Sequence, residues 1–65
     1  MAKFPNISMS RPTEKNVFVV ITAVVRAMRD AGVEEAAVDA CRIDIMSSPP
    51  SHMLAACRRW VVLSG

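Results

Sequence analysis

Sixty-five residues leave room for one domain, and a chain of this size buries only about 60% of its unfolded surface. Hydrophobic residues make up 52%, which excludes disorder as the state of the whole chain. Eight Lys and Arg against six Asp and Glu leave a net charge of +2, well short of what marks a dedicated nucleic-acid protein.

Residues 1–13 read as an extended N-terminal arm. Phe4, Ile7 and Met9 are separated by the polar Asn6 and Ser8 in a partial period of two. Pro5 and Pro12 lack backbone donors, so a strand here belongs at a sheet edge. One short strand makes no sheet, which predicts either an arm packed on the domain or an arm paired with a second copy. The opening Met1-Ala2-Lys3-Phe4-Pro5-Asn6 has one positive charge, no apolar core and an early proline, unlike a secretory signal. The apolar stretch Val17–Val25 is too short for a bilayer, which needs roughly 20 residues. Both point to the cytoplasm, with reduced thiols and no membrane partner.

Residues 14–63 read as a compact three-helix domain, so the expected class is mainly α with a short N-terminal arm or edge strand. The first helix is expected over about 17–31, with Asn16 as its N-cap and Thr13 as the alternative. Val17, Ile21, Val24, Met28 and Ala31 fall on one helical face. The β-branched run Val17-Phe18-Val19-Val20-Ile21-Thr22 is a competing strand signal, outweighed by the periodic continuation through Asp30. Gly32 supplies the positive φ that ends such a helix, with Val33 placed to touch Met28 in a Schellman turn.

A second helix is expected over about 34–46. Glu34 and Glu35 lie near its positive end, and Ala37, Val38, Cys41 and Ile45, with Ala40 beside them, are expected along its apolar stripe. Ser47-Ser48-Pro49-Pro50-Ser51 then punctuates the chain, Ser48 and Pro49 reading as N-cap and N1 of a third helix over about 49–62. That helix would set Met53, Ala56, Cys57, Trp60 and Val61 on one face. Helix one is apolar nearly all round from Val17 to Ile21. Two short helices and an arm do not enclose it, which predicts a homodimer.

Chemistry-bearing residues are sparse. Cys41, His52 and Cys57 are the one conceivable metal set, but zinc sites use close ligand pairs and a fourth ligand. The expectation is therefore two cysteines acting as small core hydrophobes, with a Cys41–Cys57 disulfide as the alternative. His52 and Cys57 fall about 140° apart around a helix axis, unsuited to a nucleophile–base pair. No catalytic residues, cofactor or metal are expected. Arg26, Arg29, Arg42, Arg58 and Arg59 are interleaved with Asp30, Asp39 and Asp44, a mixed-charge surface with Arg26–Asp30 and Asp39–Arg42 at helix pair spacing. Trp60 beside Arg58-Arg59 reads as core in preference to a stacking platform.

Asn16-Val17-Phe18, Arg26-Ala27-Met28-Arg29-Asp30-Ala31-Gly32-Val33, Ser47 with His52-Met53-Leu54-Ala55, and Arg59-Trp60-Val61 follow one another in fixed order. In that order they resemble a family of short helical proteins encoded by bacteriophages and prophages, over roughly three quarters of the chain. Relatives tend to carry Ser-Gly-Asp-Tyr before the His, where this chain has Ser47-Ser48-Pro49-Pro50. The resemblance implies a compact helical protein of phage origin and assigns no activity. The expected function is stoichiometric, non-enzymatic binding of a host or phage protein, inhibition of a host defence system (as by anti-CRISPR proteins) being one form. The expected contact residues are Phe18, Arg26, Arg29, Arg58 and Arg59. The alternative is a dimeric DNA-binding regulator of ribbon-helix-helix layout, whose arm would contact DNA through Lys3 and Arg11.

Overall fold

A computed structural model describes residues 2–13 and 15–64. The chain runs through β1 (Phe4–Ser10), α1 (Val17–Asp30), α2 (Glu35–Ser47), a 3₁₀ turn (Pro50–His52), α3 (Met53–Arg58) and β2 (Val61–Ser64). The class is mainly α, three helices with a short N-terminal strand, and the strand has a partner in its own chain. β1 and β2 pair in parallel, Phe4 opposite Val61, Ser8 opposite Val62, Met9 opposite Leu63 and Ser10 opposite Ser64. The register breaks between Phe4 and Ser8, where Pro5 has no N–H to give and Ile7 turns into the core. Among the described residues no helix is long and apolar enough to cross a membrane.

Helix α1 starts where Asn16 Oδ1 accepts the Phe18 N–H at 3.0 Å. It ends in the Schellman pattern: Gly32 sits at φ +81°, its N–H donating to the Arg29 carbonyl and the Val33 N–H to the Met28 carbonyl. Arg29 then grips Glu35 in the first turn of α2 with two hydrogen bonds of 2.9 and 3.1 Å, fixing the hairpin between α1 and α2.

The expected third helix over 49–62 is corrected at both ends. Ser48 and Pro49 are each followed by a proline, which drives the preceding residue out of the α region, and both are extended (ψ 144° and 149°). Pro50 is the residue at the start of the turn, and the Ser48 hydroxyl points back to the Asp44 carbonyl. Helix α3 stops at Arg58, and residues 61–62, read as helical, belong to β2. The apolar run after Trp60 forms a ladder with β1 in place of a last helical turn. The arm is therefore neither loose nor waiting for a copy on that side.

The core gathers Val20, Ile21, Val24 and Met28 from α1 and Val38, Cys41 and Ile45 from α2. Met53, Ala56 and Cys57 come from α3, with Trp60, Val61 and Ile7. Both cysteines are free and fully buried. Loss of solvent pushes the Cys41 thiol up to about 12, nearby Cys57 and Asp44 adding smaller effects in the same direction, and raises Cys57 for the same first reason. Thiols held so far from the thiolate form are inert packing groups. Among the described residues no cluster of three or more His, Cys, Asp or Glu side chains converges, and His52 lies exposed with Nδ1 3.2 Å from Ser51 Oγ.

Candidate functional site

Two regions carry the residues that the sequence singles out. The first is the corner where β2 meets α2. Asp44 Oδ2 accepts from Trp60 Nε1 at 2.7 Å and from Arg59 Nε at 3.1 Å, while Oδ1 accepts from Arg59 Nη2 at 2.9 Å. Arg59 Nη2 also donates to Ser48 Oγ at 3.2 Å. On the ring itself, Phe4 stacks at 6.4 Å between centroids, and Lys3 Nζ lies 4.3 Å from the ring centre. The hydrogen bond from Arg59 and then that from Trp60 hold the Asp44 carboxyl below its ordinary range. The Asp44, Arg59, Trp60 and Ser48 side chains are bonded to one another within the chain, so this corner is a structural clamp joining β1, α2 and β2.

The second region is the outward face of α1, a depression lined by Phe18, Val19, Thr22, Ala23, Arg26, Ala27 and Asp30. Its two rows, Phe18-Thr22-Arg26-Asp30 and Val19-Ala23-Ala27, each repeat every four residues, so one helix presents all seven side chains together. Phe18 is 65% exposed and Val19 47%, on a helix whose opposite side is wholly buried. The Thr22 hydroxyl is spent on the Phe18 carbonyl at 2.8 Å, leaving the N-terminal half of the face apolar in character. The ion pairs found among the described residues are Arg29–Glu35, Arg42–Asp39 and Arg59–Asp44. The spacing-based pair Asp39–Arg42 forms, and Arg26–Asp30 is not among them.

The five expected contact residues are therefore divided. Phe18 and Arg26 share the outward face. Arg29 is turned to Glu35, Arg59 is built into the clamp, and Arg58 is exposed at the end of α3. Lys3 and Arg11 lie at opposite ends of β1, on the order of 20 Å apart. Lys3 covers Trp60, and the Arg11 N–H donates to the Ser64 carbonyl, so the pair forms no common basic patch. Sequence reasoning counted Val19 in the apolar run that the other helices leave unenclosed but named neither Ala23 nor Ala27 as part of a surface, although their four-residue spacing from Val19 was the available signal. It also passed over Asp44 as the acceptor for Trp60. The outer face of α2 carries two further exposed apolar side chains, Ile43 and Met46.

Comparison with family models, with curated proteins and with solved structures finds no match for this chain.

Proposed function

We propose that this is a non-enzymatic protein that acts by stoichiometric binding of another protein, with the outward face of α1 as its contact surface. The observation that carries this is the exposure of Phe18 and Val19 side by side on a helix whose Val20, Ile21, Val24 and Met28 are buried in the core. A small chain leaves a large aromatic in water at a steady cost, roughly 1.5–3 kcal/mol of unrealised burial for a side chain of that size. Aromatic and arginine side chains are the usual anchors of protein interfaces, and Phe18 and Arg26 stand two turns apart on one face. The resemblance to short phage proteins sets this activity in an infected host cell, acting on a host or phage protein. Inhibition of a defence system is one form such binding would take.

The test is retention from host lysate on the immobilised protein, with and without nuclease, beside Phe18→Asp and Arg26→Glu. A protein held by the parent in both samples and lost from Phe18→Asp supports the reading. Retention that disappears with nuclease, or that Phe18→Asp leaves intact, overturns it.

A further inference from the structure

The outward face of α1 continues beyond the helix. Ala27 and Asp30, at its far end, also border a second depression together with Asn6, Ile7 and Ser8 of β1 and Ala31. The apolar helix face and the side of β1 away from β2 are thus one continuous surface.

That side of β1 is an open edge. The Phe4 N–H donates to the Trp60 carbonyl and the Arg11 N–H to the Ser64 carbonyl, both toward β2. Backbone groups alternate along a strand, so Met9 faces β2 with Arg11, while Ser8 and Ser10 turn their N–H and C=O to the open side. Strand edges are ordinarily guarded by charge or proline. Here Pro5 guards the beginning, and Asn6-Ile7-Ser8-Met9-Ser10 has neither, with Asn6, Ser8 and Ser10 exposed. β1 is one of the two edges of a two-stranded sheet, and the flank of α1 lies beyond it.

Resting on the reading that this face binds protein, we propose that in the free protein its occupant is a second copy of the chain, which a target protein must displace. Two β1 strands pair antiparallel about a two-fold axis near Ser8, making a four-stranded sheet in the order β2-β1-β1-β2 with the two α1 helices side by side beneath it. A two-fold contact needs a patch that complements itself, and an uncharged strand sets no like charges opposite one another. Ala23 and Ala27 hold nothing between the helices that would keep them apart. Area points the same way: a stable interface takes about 800 Å² from each partner, and one face of a fourteen-residue helix, roughly 21 Å long and about 10 Å wide, has a footprint well below that. A copy supplies a strand for the edge and a helix for the face at once.

Sedimentation velocity from micromolar to millimolar concentration tests this on the parent, Ser8→Lys, Phe18→Asp and the control Ile43→Asp on the outer face of α2. The three substituted positions are exposed, and circular dichroism checks the fold of all four proteins. The parent and Ile43→Asp are expected to reach twice the monomer mass, and Ser8→Lys and Phe18→Asp to remain monomers. If Ser8→Lys fails to fold, concentration-dependent protection of the Ser8 and Ser10 amides from hydrogen exchange in the parent replaces it. A parent that stays monomeric, or a dimer indifferent to Ser8→Lys with unprotected edge amides, overturns the proposal. A monomeric parent that still captures a lysate protein through Phe18 keeps the face as a binding site and gives it another occupant. A monomeric parent that captures nothing removes both.

Discussion

The clamp around Trp60 and the outward face of α1 are built from the same kinds of residue, aromatics beside arginines, yet they end in opposite states. At the clamp, Trp60 is buried, its N–H reaches Asp44, and Arg59 closes on the same carboxylate from the other side. On α1, Phe18 is exposed and Arg26 is absent from the ion pairs found. The difference lies in acceptors. An arginine next to an aspartate that a neighbouring element already holds becomes structure, whereas one on a helix face without such a neighbour stays available. Residue type alone does not tell side chains committed to the fold from side chains left exposed; burial and bonding partners do.

That contrast breaks most visibly at Trp60. Trp60→Ala should cost roughly 3–5 kcal/mol in chemical denaturation, because it leaves a cavity beneath Phe4 and strips a donor from Asp44. Trp60→Phe keeps most of the apolar area and loses the indole N–H, so it should cost about 1 kcal/mol beyond the change in packing. A tryptophan that could be removed without loss of stability would move this corner from the clamp to the surface side of the comparison.

Smaller losses are expected where local geometry was plain from the residues. Gly32→Ala should destabilise by about 1 kcal/mol, and since a Cβ at Gly32 would meet nothing within 4 Å, the cost is backbone strain alone. Asn16→Ala should cost about as much, through loss of the cap on the Phe18 N–H. Both positions were legible in the sequence because a helix end is a local event, decided by residues within one turn. The register of the core was legible too: Met53, Ala56, Cys57, Trp60 and Val61 are all buried, as a helical face predicted. The helix itself was not continuous, since burial on one side is equally satisfied by a short helix turning into a strand at Trp60. β2 escaped notice because its partner lies more than fifty residues away, and nothing near Val61–Ser64 declares a parallel ladder to β1. The arginines divided for the same reason, Arg59 finding Asp44 fifteen residues off.

The clamp should also show in the pH dependence. The Asp44 carboxyl titrates below its ordinary range in the folded chain, chiefly through Arg59. A depressed folded value means the unfolded state takes up its proton first. The stabilisation is therefore complete above the ordinary aspartate range and is lost as pH falls through the lowered value. Thermal melts from neutral to acid pH should fall over that interval in the parent, and Asp44→Asn should remove this part of the fall while starting from a lower melting temperature. An identical acid profile in parent and variant would mean that the carboxylate contributes nothing beyond its surface position, as exposed ion pairs often do.

The smallest change in stability is expected on the other side of the comparison. Phe18→Asp removes an aromatic that is already in water and sets a carboxylate in the first turn of α1, where the helix dipole favours it. The monomer's resistance to denaturant at low concentration should move by no more than about 0.5 kcal/mol, while association is lost. On the proposed reading this separation distinguishes the two regions: Trp60→Ala should lower stability at any concentration, and Phe18→Asp should act only on association. Should Phe18→Asp instead unfold the dilute monomer, Phe18 would be packing within its own chain, and the outward face of α1 would belong with the clamp.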